Sequence, residues 1–376
     1  MKLDPIRSLY HAAMQLIQIV PGLPPRVDSI GDYTLQMARH LRAEHGIETR
    51  FLVGDPEWDG GETVEGFAVA KVLERSEEGL LGSITTLERE TGTLPILVQF
   101  SVYGYERRGC PVWMAKGLEA LYCTRTKGLH VAFHELENRS WKPWSSVFWV
   151  TGLQKRLIAR IARVCTFRYT NTEEYRGKLE GWGLGRISLI PNFSPLGEPM
   201  LYPAFDARRP EMVVFGRGAQ RRWTYERAGH LLGPLCRQLG IERIVDIGQP
   251  LEGIADTFDD IPLVRLGRLP EEEVNARMAA AMGSFMQYPV PVLTKSSVHA
   301  VSCAYGTIPF VFDGGTKERS CPLLVTGEDF VPVDGDPSGL ELPSLELLSR
   351  QIFENYQLRS SRRAAATVAQ HLTATR

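Results

Sequence analysis

Pro291-Val-Leu-Thr-Lys-Ser-Ser-Val-His-Ala-Val-Ser-Cys-Ala-Tyr-Gly-Thr-Ile-Pro309 is the stretch that decides the fold. An apolar run reaches Lys295-Ser296-Ser297, where the pattern predicts a helix start, and Gly306 is placed to end that helix. An apolar strand is expected next, over Phe310 to Phe312. Ser at a helix start satisfies orphan backbone N–H groups. The N–H groups left free and the helix dipole attract an anion, and Lys295 adds a full positive charge on the same turn. The segment fits a phosphate cradle in an α/β domain. It fits equally a capped helix whose Lys is merely solvated.

Outward from this stretch, short β-rich runs alternate with longer helical segments. Strands are expected at Leu16–Val20, Thr49–Val53, Ala68–Val72, Ile96–Phe100, Leu129–Phe133, Cys165–Tyr169 and Ile187–Pro191, with helices such as Asp32–Glu44 and Trp113–Tyr122 between them. Strands alternating with helices imply a mainly parallel sheet covered on both faces. The Pro- and Gly-rich run Asn192–Pro203 interrupts the rhythm and is read as the linker. The pattern then restarts with a strand at Met212–Phe215, a basic turn, a helix from about Tyr225 to Leu239, strands at Arg243–Ile247 and Leu263–Leu266, and a helix from Glu271 to Met282. The last stretch, about Ser344 to Thr375, reads as helical and increasingly basic. Two Rossmann-like α/β domains are expected, 1–195 and 196–345, followed by a helical segment 346–376, with ligand in the cleft between the domains near the C-terminal ends of strands.

Length and composition agree. At 376 residues the chain exceeds the ~250 at which one hydrophobic core stops growing. A net charge of −1 argues against broad electrostatic binding to nucleic acid. No apolar run approaches the ~20 residues of a membrane span, and the start Met1-Lys-Leu-Asp-Pro-Ile-Arg7 shows no secretory signal. The 6 cysteines lie far apart without a C-x-x-C pair, which favours reduced, mostly buried thiols and a cytoplasmic address.

Three further segments are expected to converge on the cleft. In the loop after the first strand, Ser29, Gly31 and Asp32 lead into a helix, so backbone N–H groups could meet a substrate hydroxyl or phosphate; an ordinary capped turn has the same residues. His134-Glu135 follows the strand Leu129–Phe133, where ligand sites form. His134 can exchange a hydrogen bond near neutral pH, and Glu135 could orient it or accept a proton; a structural His is the alternative. His130 and His134 lie too far apart along a strand to share a zinc ion. Gly216-Arg-Gly-Ala-Gln-Arg-Arg222 allows a tight turn and close approach of an anion. Arg217, Arg221 and Arg222 offer planar forks for phosphate oxygens. A solvated basic turn is the plainer reading, but together with Lys295 the turn gives one domain two cationic elements, which favours a diphosphate.

A separate stretch combines Trp141, Trp144, Phe148 and Trp149 with Lys155, Arg156, Arg160 and Arg163, with Leu157, Ile158 and Ile161 between. It suits peripheral contact with a membrane surface bearing anionic lipid, and equally a buried helix with a solvated basic edge. Asp334-Gly-Asp336 is a weak metal signal, and Asn138-Arg-Ser140 and Asn192-Phe-Ser194 match glycosylation acceptors.

The whole pattern resembles the GT-B glycosyltransferases, specifically the large bacterial group of retaining nucleotide-sugar transferases. Ser29-Ile-Gly-Asp-Tyr-Thr34 resembles that group's first loop, and Phe133-His134-Glu135 its strand-end His. Thr170-Asn171-Thr172 and Pro191-Asn192-Phe193 resemble the short motifs that end its N-terminal domain. Val214-Phe-Gly-Arg217 resembles the turn that opens the C-terminal domain, and Gly306-Thr-Ile-Pro309 the Gly-x-Pro turn after the donor helix. The resemblance implies transfer of a sugar from a nucleotide-diphosphate donor to a saccharide or glycolipid acceptor, with retention and without bound metal or other cofactor. It implies a cytoplasmic protein, at the inner face of the membrane if the aromatic and basic stretch meets lipid. Gly216, Arg217, Arg221, Arg222, Lys295, Ser296 and Ser297 would hold the diphosphate, His134 and Glu135 would stand near the reacting centre, and Ser29, Gly31 and Asp32 would shape the acceptor side. One departure stands out. The group's pair of acidic residues, eight apart around the donor helix, falls on Leu293 and Val301. That departure supports one alternative, a glycosyltransferase-like binding subunit without turnover, and counts against another, a GT-B nucleotide-sugar epimerase, which would need carboxylates in the cleft.

Overall fold

The computed structural model describes residues 14–374, apart from 27, 90, 126–127, 138–143, 145, 316–319, 336, 338–339 and 341. The chain forms two compact units, one of residues 1–169 with 365–376, the other of residues 170–364.

The first unit contains β1 (Met14–Val20), α1 (Ser29–His45), β2 (Ile47–Val53), β3 (Thr63–Val64), β4 (Phe67–Lys71), α2 (Glu77–Glu88), β5 (Ile96–Ser101), α3 (Val112–Thr124), β6 (Leu129–Glu135), α4 (Ser146–Val164) and β7 (Phe167–Thr170). Its strands lie in the order β3-β4-β2-β1-β5-β6-β7. The β1–β2, β1–β5, β2–β4 and β5–β6 pairs are parallel, and the short β3–β4 hairpin is antiparallel. Counted without β3, the order is the doubly wound one that reverses direction beside the first strand. Leu16, Ile17, Ile19 and Val20 of β1 are fully buried, as expected for a central parallel strand covered on both faces.

The second unit adds α5 (Glu173–Gly181), β8 (Ser188–Leu189), β9 (Arg209–Phe215), α6 (Gly218–Gln238), β10 (Arg243–Ile247), β11 (Thr257–Phe258), β12 (Ile261–Gly267), α7 (Glu271–Ala280), β13 (Ala281–Gln287), α8 (Ser297–Ala304), β14 (Ile308–Phe312), β15 (Val331–Pro332), α9 (Leu345–Gln357) and the first residues of α10 (Ser361–Ala374). Its sheet runs β11-β12-β10-β9-β13-β14-β15, parallel in every pair but β11–β12. The same reversal occurs, between β9 and β13.

Several expected boundaries shift for physical reasons. The division falls after Tyr169 and not in the run 192–203, because residues 170–195 bond into the second unit. Thr294 donates its hydroxyl to the Asn171 carbonyl at 2.8 Å, Asn192 donates to the Lys295 carbonyl at 2.7 Å, and the Ser194 N–H reaches the Tyr356 hydroxyl at 2.7 Å. Nor do residues 346–376 form a separate segment. Residues up to 364 pack with the second unit and the remainder with the first. Helix α7 ends at Ala280, and Met282, expected in that helix, lies in β13. Ala-Met-Gly-Ser-Phe-Met-Gln is poor in β-branched residues, and tertiary pairing with β9 and β14 overrides its weak local preference. All 6 cysteines are free thiols.

Candidate functional site

In the first unit the loop after β1 is closed by its own side chains. Asp28, not Ser29 or Asp32, caps α1, accepting from the N–H groups of Ile30 at 2.8 Å and Gly31 at 3.0 Å. That carboxylate occupies the place where an anionic substrate group was expected. Gly31 is required for packing, since a Cβ there would collide with the Gly22 carbonyl. Ser29 is exposed and Asp32 half-buried in the first turn, so the helix begins three residues earlier than its apolar pattern suggested.

His134 and Glu135 belong to β6 itself. The register steps from Phe100–Phe133 to Ser101–Glu135, which leaves His134 as the extra residue of a β-bulge. Bulges re-aim side chains and favour active-site rims. A buried chain of hydrogen bonds then fixes the ring. Gln18 donates to Thr49 at 3.3 Å, Gln99 donates its amide to Gln18 at 2.8 Å, and the Gln99 carbonyl faces His134 Nε2 at 2.8 Å. With the Gln99 amide committed to Gln18, the neutral His134 ring carries its proton on Nε2. The Tyr33 ring meets it edge-on with centroids 4.9 Å apart. Glu135 accepts from the Ser101 hydroxyl at 2.9 Å, across the end of the β5–β6 pair.

In the second unit the two cationic elements come together. Gly216 takes φ 129°, a conformation that suits glycine, and a Cβ there would stand 3.0 Å from the Val298 side chain. The turn after β9 therefore lies against the start of α8. Arg217 is exposed at the head of α6. Ser296 caps α8, accepting from the His299 N–H at 3.2 Å, as the sequence pattern predicts, while Ser297 opens the helix. Gly306 closes it at φ 64°. The apolar run before it is a short 3₁₀ turn, Val290–Lys295. That turn is gripped by the motifs at 171 and 192. Besides the bonds given above, the Asn192 N–H reaches the Thr294 carbonyl at 2.9 Å, and Asn171 donates to the Asn192 side chain at 3.2 Å.

Arg221 is a correction. Helix α6 starts at Gly218 and not near Tyr225, so Arg221 sits in its first turns, 1% exposed. Its guanidinium donates to the Gly216 carbonyl at 3.0 Å, and also to Asp246 and to the Gln249 carbonyl. Tyr225 adds a 2.5 Å bond to the same carboxylate. Arg221 braces the Gly216 turn, and its burial keeps it away from a phosphate. Arg222 is half-buried beside Glu226 and the Glu252 carbonyl. Leu293 and Val301, at the places of the expected acidic pair, are both 0% exposed core residues.

A cavity of about 300 Å³ opens where the strand order reverses, lined by Tyr175, Gln220, Trp223, Arg227, Gln287, Tyr288, Pro289, Val292 and Lys295. Only Lys295 among these was expected. Its ammonium donates to the Tyr175 hydroxyl at 3.2 Å and lies 5.4 Å from that ring's centroid. Arg227 lies 5.3 Å from the Trp223 ring centroid. Gln220 holds the end of β13 through a 2.6 Å bond to the Gln287 carbonyl. Gln220, Trp223 and Arg227 recur at spacings of three and four, one face of a helix. That stripe is the available signal in the sequence, but a helix expected from about Tyr225 takes in Arg227 alone of the three.

No three His, Cys, Asp or Glu among the described residues gather in a way that could hold a metal ion. Asp336 of the weak metal signal, the acceptor pattern 138–140 and Trp141 of the aromatic stretch lie outside the described residues.

Two doubly wound sheets with these reversal points are the GT-B glycosyltransferase architecture, and the chain has that fold. It is similar to sucrose-phosphate synthase from Thermosynechococcus elongatus over 96% of this chain and 100% of that one, with TM-score 0.62 and 13% identity. The catalytic domain of starch synthase IV from Arabidopsis thaliana, bound to ADP and acarbose, matches over 97% and 99% with TM-score 0.58 and 11% identity. An alpha-glucosyltransferase in complex with UDP-glucose and DNA matches over 92% and 93% with TM-score 0.57 and 12% identity. No protein-family model and no curated protein matches the sequence.

Proposed function

We propose that the chain is a glycosyltransferase that moves a sugar from a nucleotide-diphosphate donor to a hydroxyl of a saccharide or lipid-linked acceptor, with retained configuration. The observation that carries this reading is the second unit's cavity at the strand reversal, walled by Tyr175, Trp223 and Tyr288 and bearing Lys295 and Arg227. Ligands of open α/β sheets bind at such a reversal, beyond the C-terminal ends of the strands. The aromatic walls suit a planar base, and the cations suit phosphate oxygens. As the bond from the anomeric carbon to the diphosphate breaks, negative charge grows on the leaving group. Lys295, Arg227 and Arg217 are the side chains that would meet it, with the Ser296–Ser297 helix start and the Gly216 turn supplying backbone N–H groups. Positive charge from side chains makes a bound metal unnecessary, and a chelator should leave turnover unchanged. His134, oriented by Gln99, and Glu135 would serve the sugar or the acceptor from the first unit. Solved structures of the same fold hold UDP-glucose or ADP, which supports a nucleotide donor.

Thermal stabilisation by a panel of nucleotide diphosphates and their sugars tests the reading, because a ligand specific to the folded state raises Tm. One nucleotide should stabilise the chain selectively, and product should form with that donor. Lys295→Ala should abolish the stabilisation and cut turnover by roughly a hundredfold or more. Full activity in that variant would overturn the diphosphate assignment. Stabilisation without product from any acceptor would instead identify a binding subunit without turnover.

A further inference from the structure

Trp144, Phe148, Trp149 and Leu153 stand on the surface of the first unit with 82%, 39%, 73% and 42% of their area exposed. They flank or occupy the first two turns of α4, whose opposite face, including Leu157, Ile158 and Ile161, is buried. The apolar residues that the sequence interleaves with the basic ones thus belong to the core, and a different set faces outward. Arg160 is held by Glu119 at 2.7 Å and is not part of the outward face.

The fold also brings in cations that the local sequence does not. Gln154 donates to the Tyr103 hydroxyl at 3.3 Å, and a Cβ on Gly109 would crowd the Gln154 amide. The loop after β5 therefore rests on α4 at Gln154, the residue after Leu153, and carries the exposed Arg107 and Arg108; Arg156 is exposed on α4 itself. Glu106 of that loop is half-buried, and Glu119 of the neighbouring α3 is engaged by Arg160. Exposed Trp and Phe beside a cluster of Arg match the two layers of an anionic bilayer surface, an apolar boundary beneath phosphate headgroups.

We propose that this corner of the first unit docks on a membrane surface carrying anionic phospholipid. Trp144, Phe148, Trp149 and Leu153 enter the headgroup boundary, and Arg107, Arg108 and Arg156 meet the phosphates. The docking stands independently of sugar transfer, since it uses none of the second unit's cavity.

The test is sedimentation of the full chain with vesicles of phosphatidylglycerol and phosphatidylcholine, against vesicles of phosphatidylcholine alone. The chain should pellet with the first and not the second, and added salt should release it. Phe148→Ser with Trp149→Ser should weaken partitioning at least ~tenfold. Arg107→Ala, Arg108→Ala and Arg156→Ala together should weaken it about a hundredfold. An unchanged Tm shows that these surface variants fold. Unchanged nucleotide stabilisation in them separates a failure of docking from a failure of the donor site. No pelleting with the anionic vesicles at low salt overturns the proposal, as does undiminished pelleting of the aromatic variant. Self-association abolished by Trp149→Ser, with no vesicle binding, would overturn it in favour of an interface between copies.

Discussion

At the scale of single residues, burial decides what a charged or polar group does. Arg221 reads in the sequence as one of three equivalent phosphate ligands, yet it is buried and bonded to Asp246 and two carbonyls. Arg221→Met should destabilise the chain by about 3–5 kcal/mol, because it strands a buried carboxylate; denaturant unfolding measures this. Two histidines set an acid limit. Burial, together with nearby His371, holds His130 down at about 4, and burial, with Arg359 nearby, does the same to His299. Both rings stay neutral in the folded chain to about that pH, while in the unfolded chain they take protons near 6.5. The unfolded state therefore binds more protons between those values, and stability is lost as pH falls from 6.5 towards 4. Each shift corresponds to roughly 3 kcal/mol at full protonation. His299→Gln should flatten the pH dependence of the unfolding midpoint across that window, whatever its effect on absolute stability.

At the scale of elements, the outcome turns on where helices begin. α8 starts where its Ser and Gly signals place it, since the cap is a local device. Ser296→Ala should cost about 1 kcal/mol by removing the acceptor for the His299 N–H, and it should weaken nucleotide stabilisation by loosening the same turn. Thermal melts with and without nucleotide separate the two effects. α6 begins seven residues before the reading from periodicity, because its first two turns are polar and basic. Their helical state depends on Arg221 reaching Asp246 on β10 and on Gln220 reaching the end of β13. No local rule encodes those partners, and Gln220 and Trp223 of the cavity lie in the turns that depend on them.

At the scale of the whole molecule, the end of the chain serves the first unit. His371 stacks on Phe167 with centroids 4.1 Å apart and shares a 2.9 Å hydrogen bond with Tyr169, while Ala365, Val368 and Leu372 are buried. Removing residues 365–376 should lower hydrogen-exchange protection in β6 and β7 and leave β9 and β13 protected. Equal protection of β6 and β7 in the truncated chain would show that this packing carries little stability.

By itself the sequence determined the class of fold: alternating apolar strands and amphipathic helices can bury their surfaces only in layered parallel sheets, and the pattern restarts once. It also determined the start and end of α8 and the placing of Lys295 just before its cap, because caps and glycine turns act over a few residues. Tertiary structure alone decided which candidates face a ligand. Asp28 fills the first loop's N–H groups, Arg221 braces a turn, and Lys295 joins Tyr175, Trp223 and Arg227, which lie far from it in sequence. Hydrogen-bond partners and desolvation are properties of what the fold brings within a few ångströms, and residue type carries no record of them.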